Sequence, residues 1–330
     1  MCASECLLVS VGIIFATFST IWILKEIFRM IKLYLLPNFI KQDLKKYGEW
    51  AVITGGCSGI GKHTAIELAK SGLKLILISN ELEQLQATVK DIETKFGVEC
   101  CYVLADLTGG KEVYDCLWSK IEGKDVGIFV NCAGIAGRTP CYFLDETESN
   151  TLVMIALNVE TVVNMTYRMS NLYAKKNKGV IINVSSASSI FPFSYYAIYC
   201  SCKRFMDVFS KGVNEELIDK GINLQSLLPY FVHTRMTNKM KKNMLIPSCK
   251  KFCENWIKCI GKNQSYAGYW LHEIIIYILS FCPSFFLNYM TKNICISKYK
   301  KRINTSKSRN NKKKLHVIQY VIIYNFYFYV

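Results

Sequence analysis

Apolar and polar positions along this chain fall into three regimes. From Cys6 to Leu24 the sequence CLLVSVGIIFATFSTIWIL is apolar almost throughout and carries no charge. As a helix this run would be about 28 Å long, close to the hydrocarbon thickness of a bilayer. From Tyr47 to about Pro229, short aliphatic runs alternate with amphipathic stretches. A further apolar stretch, Ile274 to Met290, is interrupted by Pro283 and is marginal for spanning. A membrane-resting hairpin and a packed helix both remain open for it.

The middle regime predicts strands at Trp50–Thr54, Leu73–Ser79, Cys100–Ala105, Val126–Val130, Val180–Val184 and Ile222–Leu228. Between them, helical spacing is predicted at Lys62–Ser71, Leu82–Phe96, Val113–Ile121, Asn150–Lys175 and Tyr199–Ile218. Strands alternating with helices predict an α/β fold, a doubly wound parallel sheet covered on both faces. Ligands of such sheets bind at the carboxyl ends of the strands. The chain divides into an anchor and linker (1–46), a catalytic domain (47–245), a helical substrate- or membrane-associated extension (246–300) and a tail (301–330).

Charge orients the first segment. Glu5 precedes the apolar run, and Lys25, Arg29 and Lys32 follow it. A cleaved leader would carry the opposite polarity and a small-residue cleavage site, so an uncleaved anchor with its domain in the cytosol is expected. The formal charge of +16 is uneven, with ten Lys/Arg between Lys292 and Lys314 and no acid after Glu273. The body is therefore only mildly basic, which favours an anionic membrane surface or a solvated tail over a nucleic-acid partner. Fifteen Cys, an odd number without paired spacing, and four His without ligand spacing predict reduced thiols and no metal site.

Chemistry enters at the strand ends. The first strand runs into Thr54-Gly55-Gly56-Cys57-Ser58-Gly59-Ile60-Gly61 and then a helix. Glycines let a diphosphate approach the backbone, and the helix N-terminus offers free N–H groups and a partial positive charge. Further along come Asp106 after the third strand, Asn131-Cys132-Ala133-Gly134 after the fourth, Asn158 in the long helix, and Asn183-Val184-Ser185-Ser186 at the fifth. Tyr199 and Lys203 follow as YxxxK, then Pro229 to Thr234 after the sixth strand.

This ordered set, from about Tyr47 to Lys241, resembles the short-chain dehydrogenase/reductase family, which has a Rossmann-type fold. The resemblance implies a cofactor cradle from Gly55, Ser58, Gly59, Ile60 and Gly61. It implies an adenine contact from Asp106, cofactor contacts from Asn131, Ala133 and Gly134, and a nicotinamide contact from Thr234. Cys132 stands where the family has a second Asn, and Tyr230 where many members have Gly. Tyr199 is implied as the acid/base and a cofactor contact, Lys203 as its tuner and a ribose contact, and Asn158 as the anchor of a proton relay. Ser186, thirteen residues before Tyr199, is implied as the hydroxyl that orients the substrate oxygen. In physical terms, Tyr199 and Lys203 share a helix face at i and i+4. A cation one turn away is expected to lower the pKa of a phenol from its ordinary value of about 10. His233, in the same loop as Thr234, reads as a surface residue more than as a substrate contact.

The second strand ends Ser79-Asn80 without the acid that NAD enzymes favour there. Asn80 occupies the position where NADP-dependent relatives often carry Arg. NADP(H) is expected over NAD(H), by subfamily resemblance. That subfamily is the microsomal group containing 17β-hydroxysteroid dehydrogenases and very-long-chain 3-oxoacyl-CoA reductases. Tyr47 to Thr54, Glu67 to Ser79, Ser226 to Met236 and Ala267 to His272 carry the likeness, with the anchor. It implies an endoplasmic-reticulum membrane enzyme reducing a lipid ketone, foremost a 3-oxoacyl-CoA, with a steroid 17-ketone or retinol as alternatives. A homodimer is expected from relatives. A neighbouring hydroxysteroid-dehydrogenase-like branch can lack the catalytic Tyr; Asn80, Cys132 and the tail fit such a silent scaffold, whereas Tyr199 argues for activity. The tail after about Lys301 has two readings, a membrane-seeking extension or translated non-coding sequence.

Overall fold

The computed structural model describes residues 3–304 apart from 41, 192, 238, 239 and 284, so the tail beyond 304 lies outside the described residues. Seven parallel strands form one sheet: β1 (Trp50–Thr54), β2 (Lys74–Ser79), β3 (Cys100–Leu104), β4 (Val126–Asn131), β5 (Gly179–Val184), β6 (Ile222–Leu227) and β7 (Ser265–Tyr266). Their order is β3-β2-β1-β4-β5-β6-β7. The order reverses between β1 and β4, which opens a crevice at the carboxyl edge of the sheet.

The helices are α1 (Ala3–Met30), α2 (Gly59–Lys70), α3 (Leu82–Phe96), α4 (Lys111–Ile121), α5 (Glu148–Ile155), α6 (Thr161–Ala174), α7 (Ala197–Leu217), α8 (Cys249–Trp256) and α9 (Trp270–Ser280), of which α2 to α8 lie in the crossovers between strands. Alternating side chains of each strand feed two cores. Ala51, Ile53, Leu75, Leu77, Ile128 and Val130 pack with Leu68, Leu85 and Trp256 on one face. Val52, Ile76, Ile78, Phe129 and Ile181 pack with Tyr114, Leu117, Met165 and Tyr173 on the other. Burial of each such large apolar side chain is worth about 2 kcal/mol, so this double layer makes the sheet the rigid base of the crevice.

Two features depart from the pattern-based expectation, and a third takes one of the forms left open. The single helix predicted at Asn150–Lys175 is α5 and α6 joined by a π turn, Ala156–Glu160. One extra residue in that turn re-aims Asn158, as such insertions commonly do. The seventh strand, only two residues long, pairs with Ser226 and Leu227 and has no sequence periodicity to announce it. The apolar stretch after Ile274 is neither a straight span nor one packed helix. α9 and a second helix, Phe285–Asn304, meet at a bend of 118°.

Among the described residues one unbroken helix is long and apolar enough to cross a membrane, Leu7–Asn38, and none of its apolar window is buried in the protein. Its lower end is tied to the domain through Glu273 of α9. That buried carboxylate accepts hydrogen bonds from Arg29 (2.9 Å), Tyr34 (2.7 Å) and the backbone N–H of Ala267 (2.7 Å). Trp22 meets Tyr277 at a tilt and Phe281 edge-on, its ring 5.4 Å from each. The described cysteines are free thiols, Cys100 and Cys101 included.

Candidate active site

The turn after β1 is built by steric exclusion. Gly55 (φ +66°) and Gly59 (φ +54°) adopt left-handed conformations that side chains resist. A Cβ on Gly61 would sit 2.2 Å from the Gly55 carbonyl oxygen, and one on Gly55 would sit 3.1 Å from the Ala133 backbone. The turn is thus pressed against the segment after β4, leaving backbone as its surface. Ser58, extended, is the cap residue at the start of α2, and Ile60 lies in its first turn. The Ile60 carbonyl accepts the Cys253 thiol at 3.5 Å. Thr54 Oγ1 accepts the backbone N–H groups of Cys132 and Ala133, both at 3.0 Å. Cys132 contributes here through its backbone, so the loss of the family's Asn side chain leaves this link intact. Burial pushes its thiol up to about 12.

A chain of buried side-chain hydrogen bonds runs across β4, β5 and α7. Asn131 donates to Asn183 (2.8 Å), Asn183 to Ser210 (2.9 Å), and Ser210 to the Met206 carbonyl (2.6 Å). Ser185 turns inward and donates to the Lys203 carbonyl at 2.7 Å. Ser186 faces the crevice instead, its hydroxyl accepting the N–H and the hydroxyl of Ser188 at 3.1 and 3.0 Å.

Lys203 and Tyr199 lie on one side of α7, with the ammonium 5.9 Å from the phenol ring centre. The buried ammonium donates to the Val184 carbonyl at 2.9 Å. Burial lowers the Lys203 pKa to about 8, with smaller opposing contributions from the Cys132 and Cys202 thiols. Burial raises Tyr199 to about 12, and a hydrogen-bonding interaction with Ser186 pulls the other way. The expected lowering of the phenol by Lys203 is therefore corrected. In this cleft desolvation wins, because the ammonium is turned to a backbone carbonyl and is itself weakened by burial.

Asn158, fully buried, donates to the carbonyls of Ile135 (2.9 Å) and Met154 (2.8 Å). Its amide oxygen accepts no hydrogen bond from the described residues. A Cβ on Gly134 would lie 2.8 Å from that oxygen and 3.3 Å from the Lys203 ammonium. The bare backbone of Gly134 is what lets these two polar groups approach the same spot.

The remaining predicted residues line the rim. Asn80 is exposed beyond β2, and Asp106 is exposed and turned to Thr108, whose N–H and hydroxyl it accepts at 3.0 and 2.8 Å. Those bonds, the backbone one foremost, hold the Asp106 pKa below the ordinary carboxylate value. Thr234 lies across from the glycine turn, 3.8 Å from where a Gly59 Cβ would be. His233 is pinned by its loop, its ring nitrogen bonded to the Met240 carbonyl at 3.0 Å and its N–H to Pro247 at 2.9 Å.

Two residues escaped the sequence reading. Arg235 pairs with Glu81, two contacts across the mouth of the crevice. His272 is fully buried beneath the substrate-side loop, accepting the Tyr230 N–H at 3.3 Å and meeting the Leu245 carbonyl at 3.1 Å. The only signal for His272 was its position in an otherwise apolar block; Arg235 had none.

The chain as a whole is similar to known proteins. A family model described as short chain dehydrogenase matches residues 49–245. The chain is 38% identical to the very-long-chain 3-oxoacyl-CoA reductase of Macaca fascicularis over 72% of this chain and 76% of the relative. It is 33% identical to the inactive hydroxysteroid dehydrogenase-like protein 1 of Homo sapiens, over 83% of this chain and 84% of that one. In fold it is similar to a short-chain dehydrogenase from Sphingobium yanoikuyae solved with NADPH, at TM-score 0.60 and 24% identity over 64% of this chain and 83% of that one.

Proposed function

Because the chain belongs to the short-chain dehydrogenase family, we propose that it is a membrane-bound, NADP(H)-dependent oxidoreductase that reduces a lipid-borne ketone, foremost a 3-oxoacyl-CoA. The observation that carries this reading is the convergence of Ser186, Tyr199, Lys203 and Asn158 beside a crevice that leaves bare backbone at Gly55, Gly61 and Gly134. That crevice fits a dinucleotide on its steric character: the turn after β1 is packed so tightly on itself and on the Ala133 backbone that it presents main chain rather than side chains, as a diphosphate needs.

When bound, the reduced nicotinamide supplies the hydride. The Tyr199 phenol, held up to about 12, stays protonated at neutral pH and gives its proton to the substrate oxygen. Ser186 offers a second donor to the same oxygen, which favours the charge developing there. Lys203, one turn along α7, stabilises the phenolate left behind, and Asn158 belongs to the relay that returns a proton toward Lys203. Gly55, Ser58, Gly59, Ile60 and Gly61 would hold the diphosphate, Asn80 and Asp106 the adenosine end, and Asn131, Ala133, Gly134 and Thr234 the nicotinamide side.

A lipid substrate is supported by the apolar rim on the loops after β4 and β6, where Phe143, Leu144, Phe231, Met236 and Met244 are exposed. It is supported too by likeness to relatives named very-long-chain 3-oxoacyl-CoA reductase. With α1 in the endoplasmic-reticulum bilayer and the domain in the cytosol, the crevice would stand beside its substrate's own phase.

The test is NADPH consumption with a 3-oxoacyl-CoA by the full chain in detergent, wild type against Tyr199→Phe. Equal rates in the two proteins would eliminate the proposed acid. A second reading, a catalytically silent scaffold, draws on the likeness to an inactive relative. It requires that no ketone, acyl-CoA, steroid or retinoid, support turnover in the wild-type protein.

A further inference from the structure

We propose that Arg235 is the clamp for the 2′-phosphate of the cofactor, and that Glu81 holds its place in the free protein as an internal stand-in for that phosphate. The inference rests on the NADP(H) reading above and deepens it, by assigning a cation where the end of β2 supplies none. β2 ends at Ser79, followed by the neutral Asn80 and the acidic Glu81. Taken alone, that segment would repel a phosphate. Arg235 comes from the turn after β6, far along the chain, and places both guanidinium N–H arms on both Glu81 carboxylate oxygens, one of them at 3.1 Å.

Three segments meet at this point. The Cys57 thiol of the glycine turn donates to the Ser79 hydroxyl at 3.0 Å, and that hydroxyl accepts the Glu81 N–H at 3.4 Å. Thr234, next to Arg235, faces Gly59 of the same turn. Arg235 therefore reaches the end of β2, where the adenosine ribose of a dinucleotide lies in this fold. A guanidinium fork accepts a carboxylate or a phosphate in the same two-pronged geometry. The pair is also exchangeable: the Arg235 and Glu81 side chains are 64% and 32% exposed, so water screens the bond that the phosphate must replace. A phosphate carries more charge than Glu81 and takes the fork from it. A cofactor without that phosphate leaves the pair as it is. The exchange would make the loop that carries Thr234 a strap fastened at the adenosine end only by the phosphorylated cofactor.

The experiment is fluorescence titration of the full-length protein in detergent with NADPH and with NADH, for wild type, Arg235→Ala and Glu81→Gln, with thermal unfolding recorded for each. Arg235→Ala is expected to weaken NADPH at least tenfold and to leave NADH within twofold. Glu81→Gln is expected to tighten NADPH about threefold by removing the competitor. If wild type binds NADPH and Arg235→Ala, with an unchanged unfolding temperature, binds it equally well, the clamp is wrong while the cofactor reading stands. Equal weakening of both cofactors by Arg235→Ala would also overturn it, since the arginine would then only brace the loop. So would loss of NADH binding in Glu81→Gln with NADPH unaffected. If wild type binds no NADPH, the cofactor reading itself falls and takes the clamp with it.

Discussion

The two walls of the crevice are built by different means. The glycine turn after β1 is shaped by exclusion: backbone lies so close to backbone that Gly61 has no room for a single carbon. The wall formed by β4, β5 and α7 is shaped by hydrogen bonding, with Asn131, Asn183 and Ser210 bonded in sequence and Lys203 bonded to Val184. The first wall is intolerant of volume and indifferent to chemistry. The second tolerates isosteric change in shape but not in hydrogen-bonding character.

That contrast can be broken at either wall. The largest effect is expected for Gly61→Val, where the added carbons meet the Gly55 carbonyl; NADPH binding measured by fluorescence should be abolished. Retained binding would mean that the turn has freedom the geometry denies it. Next, Tyr199→Phe should lower kcat/KM for ketone reduction by about 10²–10⁴-fold while NADPH affinity changes little, because the deleted atom touches the chemistry and not the cradle. A parallel loss of affinity would merge the two walls into one. Asn183→Leu keeps the branched side-chain shape but removes the bonds to Asn131 and Ser210, so urea denaturation should show a loss of about 2–3 kcal/mol; a neutral result would show that the polar chain is dispensable.

The smallest effect concerns Lys203. The folded chain gives up this proton at about 8, whereas the ordinary lysine value is 10.5. Below pH 8 both folded and unfolded chains carry the charge and burial penalises the fold. Between pH 8 and 10.5 only the unfolded chain holds the proton, so this contribution becomes more favourable to the fold as pH rises. Lys203→Met removes the penalty and also the bond to Val184. The variant should therefore be more stable than wild type by about 2 kcal/mol at pH 7, with the gap closing through that alkaline window, as read by denaturation of both proteins at each pH. A gap independent of pH would place its origin in packing instead.

Much of this arrangement was legible along the chain because its causes are local. Alternating aliphatic and amphipathic runs announced six of the seven strands, and glycine spacing announced the tight turn between β1 and α2. The i, i+4 relation put Tyr199 and Lys203 on one helical face. The direction of the Tyr199 shift was misread because burial is not a property of spacing. The π turn that aims Asn158 leaves no mark in periodicity, since one inserted residue disturbs it less than ordinary variation does.

By itself the sequence determined the strand-and-helix alternation, the apolar N-terminal segment and the order of the polar groups at the strand ends. Those depend on neighbours a few residues apart. Only the tertiary structure decided that Arg235 meets Glu81, that Glu273 receives Arg29 and Tyr34, and that desolvation outweighs attraction around Tyr199. Each of these joins groups distant in the chain or depends on how much water folding removes, and neither distance across the fold nor local dielectric is written in the spacing of residues.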